Sequence, residues 1–203
     1  MGIPVLVMGE SGSGKTYSLK NFDPNEVGIF SVEKGRLPFK GDFKVVKNAT
    51  YPIINKIFTA PKLKRYVIDD SQYLLVNELF DRAKDTGYQK YTDMAVNFRN
   101  LIHAVNHNLP DDVIVYFLHH TETDSNTGKT KAKTVGKMID QYLTLEGCFD
   151  IVLLTVADGN QHFFITQSDG YTTAKSPAGM FQDVKIQNDL SLVDHAIRDY
   201  WNL

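Results

Sequence analysis

The sequence predicts an α/β fold, with a mostly parallel central sheet, helices on both faces and an antiparallel hairpin near the C-terminus. Three observations predict it. Short apolar runs of strand length alternate with helix-like stretches along the chain. A glycine-rich segment, "GESGSGKT" at residues 9–16, follows the first of these runs. "ADGN" at 157–160 joins two late strand-like runs through a hairpin turn. With 203 residues the chain is long enough to bury a full core and is expected to form one domain, 1–203.

Taken in order, the strand-like runs are Ile3 to Met8, Val27 to Val32, Phe43 to Val46, Tyr66 to Ile68, Val113 to Leu118 and Ile151 to Val156. Between the fourth and fifth, Met94, Phe98, Leu101, Ile102 and Val105 recur at helical spacing and predict a helix packed on the sheet. The hairpin continues into Phe163 to Gln167. Neighbours on a strand face opposite ways, so Phe163 and Phe164 read as core packing rather than a base-stacking pair. "LSLVDHAIRDYW" predicts a closing helix with Leu192, Val193, Ala196, Ile197 and Tyr200 on its apolar face. "TETDSNTGKTKAK", residues 121–133, is polar without apolar periodicity and predicts a flexible loop directly after a strand.

Composition excludes little. With 22 basic and 24 acidic side chains the net charge is −2, so any nucleic-acid contact must come from a local patch. One cysteine, Cys148, leaves no internal disulfide and suits a reducing compartment. No apolar run approaches the ~18 residues of a membrane span. Met1 leads into a strand, not a signal segment. The expected location is the cytoplasm, away from any membrane.

The spacing Gly9, four residues, Gly14-Lys15-Thr16 fits the P-loop, in which backbone N–H groups cradle phosphates. The helix expected behind it adds a favourable dipole. Gly9, Glu10, Ser11, Gly12, Ser13, Gly14, Lys15, Thr16 and Tyr17 form the expected nucleotide-binding set, with Lys15 reaching the β- and γ-phosphates and Thr16 binding Mg²⁺. "RYVIDDSQYLL" ends an apolar run in Asp69 and Asp70, as a Walker B strand does. Asp69 is the preferred Mg²⁺ partner; Asp70 either orients water or caps the next turn. Hydrolysis also needs a carboxylate to activate water, and Glu33, at the end of the second run in "IFSVEKG", is in the right place in chain order. "VYFLHHTE" puts His119 and His120 at the same sheet edge. Adjacent strand residues diverge, which argues against a shared metal, and His120 reads as a γ-phosphate sensor.

These segments, together with "GKMIDQYLTLEGCFDIVLLTV" and "TTAKSPAGMF", resemble the short RecA-like ATPases encoded by bacteriophages, over the stretch from Ile3 to about Phe181. The resemblance implies a RecA-type P-loop core in which the sensor strand separates the Walker A and Walker B strands. It implies Mg²⁺-dependent ATP hydrolysis at the interfaces of a homo-oligomer in the host cytoplasm. The role implied is DNA recombination, strand annealing or replication, stimulated by single-stranded DNA, with other phage recombination or replication proteins as partners. In such enzymes the catalytic glutamate ends the strand after the P-loop helix, where Glu33 lies. A DNA-binding loop follows the sensor, and here it carries Lys129, Lys131 and Lys133 at alternate positions. A neighbouring subunit often completes the site with a cation; Arg36, Lys137 and Lys175 are the candidates. The N-terminal segment that links subunits of full-length recombinases is not seen, which leaves ring and filament both open.

Two rivals remain. A small-molecule kinase has this size, but the five arginines are scattered and form no lid cluster. A nucleotide-gated adaptor with slow or no turnover would carry the same motifs. ATP is expected over GTP, because no Asn/Thr-Lys-x-Asp motif is present.

Overall fold

The apolar run at Ile3–Gly9 forms strand β1, buried along almost its whole length, as a central parallel strand must be. A computed structural model describes residues 1–33, 35–135, 140 and 143–203. After β1 come β2 (Val27–Ser31), β3 (Val45–Lys47), helix α1 (Tyr51–Phe58), β4 (Arg65–Asp69), α2 (Gln72–Asp81), α3 (Gln89–Asn108) and β5 (Ile114–Thr123). They are followed by β6 (Thr130–Ala132), β7 (Ile151–Asp158), β8 (Gln161–Ile165), β9 (Lys185–Gln187) and α4 (Leu190–Trp201). The sheet order is β3-β2-β4-β5-β1-β7-β8-β9, with β6 beside β5. Pairing is parallel from β3 to β7 and antiparallel from β7 to β9.

Alternation along the strands sorts the core into two layers. Leu6, Met8, Phe30, Ile68, Val115, Phe117 and Val152 face α1, α2 and α3. Their neighbours Val5, Val7, Ile29, Val67, Tyr116 and Leu153 face Leu19, Phe22 and α4. All five stripe residues predicted for α3 are buried. Helix α4 matches the predicted span, capped by Asp189, which accepts from the Ser191 amide at 2.9 Å, and closed by Asn202 in the left-handed region. Its buried face differs from the prediction: Leu190, Val193, Asp194 and Ile197 point inward, whereas Leu192 and Tyr200 are exposed. Buried Asp194 accepts from Tyr116, Arg65 and Arg198, so a charged residue holds the helix to β4 and β5 where an apolar pattern could not reveal it.

Two further expectations are corrected. Behind the glycine loop stands a single 3-10 turn, Thr16–Leu19, instead of a helix. Asp23 closes an Asx turn onto the Asn25 amide at 2.8 Å and Pro24 follows it, which stops helical propagation. Residues 121–133 are not a loop: β5 runs on to Thr123 and pairs antiparallel with β6, around a turn in which Asp124 accepts from the amides of Asn126 and Thr127. Alternating Thr, Glu and Lys give the strand period, which apolar periodicity misses. Strand β9 is likewise absent from the sequence reading.

Candidate functional site

The parallel register brings the predicted motifs to one edge of the sheet. Gly9 at the end of β1 lies opposite His120 of β5, and β5 sits between β1 and β4, which ends in Asp69. Ligands of open α/β sheets bind at such carboxyl ends. Here they enclose a cavity of about 350 Å³ lined by Ser11, Gly12, Gly14, Lys15, Thr16 and Tyr17 of the loop, Asp69, Asp70 and His120 of the adjacent strand ends, and Arg36, Pro38 and His162.

The loop is shaped by its glycines. Gly12 and Gly14 have φ of +81° and +102°, and alternation of left- and right-handed residues forms the backbone concavity that receives anions. A Cβ at Gly9 would lie 1.9 Å from Thr155 Oγ1 and 2.5 Å from Ser13 Oγ. That space is filled by a clamp. Thr155 Oγ1 donates to the Met8 carbonyl at 2.9 Å, which uses its only proton. Ser13 Oγ therefore donates to Thr155 Oγ1, at 2.7 Å, and ties the loop to β7. Glu10 is exposed at the loop's outer side. Because the following turn is only four residues long, attraction for an anion rests on the loop amides and on Lys15, not on a helix dipole.

Lys15 is buried, and its Nζ donates to the carbonyls of Gly9 and Glu10 at 2.8 Å each. Thr16 Oγ1 donates to Asp69 Oδ1 at 2.9 Å. A hydroxyl and a carboxylate so placed suit Mg²⁺, which keeps most of its waters and takes one or two protein oxygens. Among the described residues there is no group of three His, Cys, Asp or Glu side chains that would cage a metal by itself. Asp70 is buried with a left-handed backbone, φ +59°. Its Oδ1 is 3.2 Å from His120 Nε2, an ion-pair distance without hydrogen-bond alignment.

The two histidines have different environments. His119 is fully buried, with Nε2 donating to the Lys133 carbonyl at 2.8 Å and Nδ1 2.9 Å from Ser71 Oγ. A carbonyl only accepts, so the proton sits on Nε2, and the single Ser71 hydroxyl proton lies between Nδ1 and the Leu118 carbonyl 3.0 Å away. Burial pushes its pKa down to about 4, with the nearby charges of His120 and Lys15 adding to the effect against the Lys133 bond. His119 is thus a neutral structural pin, whereas His120 faces the cavity beside Tyr73. The Lys133 amide donates to the His120 carbonyl at 2.8 Å, so the end of the β5–β6 hairpin is fastened to both histidines.

Other candidates fall elsewhere. Glu33 lies two residues beyond β2, exposed, and does not line the cavity. Lys129 and Lys133 are exposed on the hairpin, but Lys131 pairs with Asp140 at 2.9 Å and Glu122 at 3.1 Å. Those carboxylates raise its pKa and use its charge locally. The Lys175 backbone bridges Val152 of β7, and Lys175 does not line the cavity. Lys137 lies outside the described residues. Arg36 lines the cavity of its own chain. The sequence reading passed over His162, whose ring lies where a Gly14 Cβ would come within 2.9 Å of it and whose centroid is 6.3 Å from that of Tyr17. Its place on β8 depends on the hairpin folding back over the glycine loop, which no local pattern marks.

No protein-family model matches the chain, and no curated protein matches it. Among the described residues no helix is long and apolar enough to cross a membrane.

Proposed function

We propose that the chain binds ATP with Mg²⁺ in the cavity at residues 9–17 and hydrolyses it, as a RecA-like P-loop ATPase of bacteriophage type. The observation that carries the reading is the hydrogen bond between Thr16 and Asp69, because it joins the hydroxyl and the carboxylate that such an enzyme needs on one metal. In this reading the loop amides and Lys15 take the phosphates, Thr16 and Asp69 take Mg²⁺, and His120 meets the γ-phosphate, whose oxygen would satisfy its buried Nε2. The sheet order, with the His120 strand between the Gly9 and Asp69 strands, supports the RecA-type assignment. The hairpin at 121–133, reaching from His120 with exposed Lys129 and Lys133, is the proposed contact for single-stranded DNA. A homo-oligomer acting in recombination, annealing or replication, together with other phage proteins in the host cytoplasm, completes the proposal.

A second reading is favoured by one observation: Glu33 is exposed and off the cavity wall. A nucleotide-gated adaptor needs no water-activating carboxylate. Steady-state ATP hydrolysis with and without single-stranded DNA over a salt series, beside Glu33→Gln and Lys15→Ala, separates the two. A DNA-stimulated rate lost in Glu33→Gln, while ATP still binds, identifies the ATPase. ATP binding without turnover identifies the adaptor. No ATP binding by the parent chain refutes both.

A further inference from the structure

Residues 35–44, ahead of β3, form a strap that reaches the cavity wall, and burial alternates from Arg36 to Phe39. Leu37 and Phe39 turn inward onto the core layer that holds Leu19, Phe22 and Ile29, where Phe43 joins them in an edge-to-face contact with Phe39 at 5.3 Å. Arg36 and Pro38, the alternate positions, are exposed and line the cavity. The core anchors belong to the same chain, so the backbone at Arg36 is placed beside the cavity without a neighbour.

Its charge is also uncommitted. Arg65, Arg82 and Arg198 each pair with one or more carboxylates. Arg36 has no ion pair among the described residues, although it shares a cavity wall with two aspartates. A polyphosphate entering this cavity meets Lys15 from the loop and a planar guanidinium from the strap. That fork suits phosphate oxygens better than a point charge does.

We propose that Arg36 binds the polyphosphate of the nucleotide held by its own subunit, so that the site is completed in cis without a cation from another copy. This inference rests on the nucleotide reading above. It predicts affinity for any magnesium polyphosphate, whether or not a base is attached.

The test is equilibrium binding of MgATP and of magnesium tripolyphosphate to the full chain, the parent beside R36Q and R36K. R36Q is expected to weaken both ligands by about tenfold or more, the loss of one charge-assisted contact, and R36K to recover part of it. Arg36 is exposed, so an unchanged urea transition should accompany the loss. Excess K15A protein, which carries an intact Arg36 but lacks Lys15, should not restore ATP affinity to R36Q. Unchanged affinity in R36Q, a loss confined to MgATP, or restoration by K15A would each overturn the cis assignment while leaving the nucleotide site standing. If the parent binds neither ligand, the nucleotide reading falls and this inference with it.

Discussion

Thr16 Oγ1 donates to Asp69 Oδ1 across 2.9 Å, joining the turn behind the glycine loop to the end of β4, 53 positions along the chain. Magnesium would be held there by the Thr16 hydroxyl and the Asp69 carboxylate, with waters completing its shell. Asp69→Asn keeps the shape and removes the charge. It should weaken the Mg²⁺ dependence of ATP binding by about ten- to a hundredfold while leaving metal-free ATP binding nearly unchanged, as a magnesium titration monitored by calorimetry would read.

The Ser13–Thr155–Met8 chain predicts a stability effect in the glycine loop. Thr155→Val keeps the volume but leaves Ser13 Oγ and the Met8 carbonyl without their buried partner, at a cost of about 1–3 kcal/mol in urea unfolding. Thr155→Ser retains the hydroxyl and should recover most of it. A loss in Thr155→Ser with none in Thr155→Val would show that the methyl packing, not the hydrogen bonds, matters.

At Gly14 two penalties combine. A Cβ would strike the His162 ring at 2.9 Å, and φ of +102° is unfavourable for any L-residue. Gly14→Ala should destabilise the chain by about 1–3 kcal/mol. Adding His162→Ala should recover only part, since the backbone term remains. Full recovery in the double variant would place the whole cost in the ring contact.

Burial of neutral His119 predicts an acid-side loss of stability. In the unfolded chain its pKa is near the ordinary 6.5, whereas the folded value is held down to about 4, so below pH 6.5 the unfolded state takes up the proton and the folded state does not. The contribution is full above about pH 6.5 and falls away toward pH 4, by about 3 kcal/mol at most. Urea unfolding at intervals from pH 7 to 4, with the His119 ring followed by NMR, should show stability falling as pH falls and a ring that titrates near 4. A ring that titrates near 6.5 would contradict it.

Much of this molecule is legible in local sequence. Short apolar runs mark the strands, helical spacing gives the 94–105 stripe, and turn chemistry at 157–160 gives the hairpin. The glycine loop is equally local, because its shape depends on which positions tolerate positive φ. Tertiary packing decided the rest. Asp194 is buried because Arg65 and Tyr116 meet it from distant strands and Arg198 from the next turn of its own helix, and Leu192 is left exposed as a consequence of how α4 docks. The polar β5–β6 ladder forms because paired backbone hydrogen bonds, not apolar burial, hold it. Glu33 is near in chain order yet off the cavity, whereas Arg36 and His162 reach it from a strap and a hairpin whose paths are fixed only once the sheet has formed. Periodicity reports which face a residue takes on its own element. It carries no information about which distant element will cross above that face, and that crossing selects the side chains around the cavity.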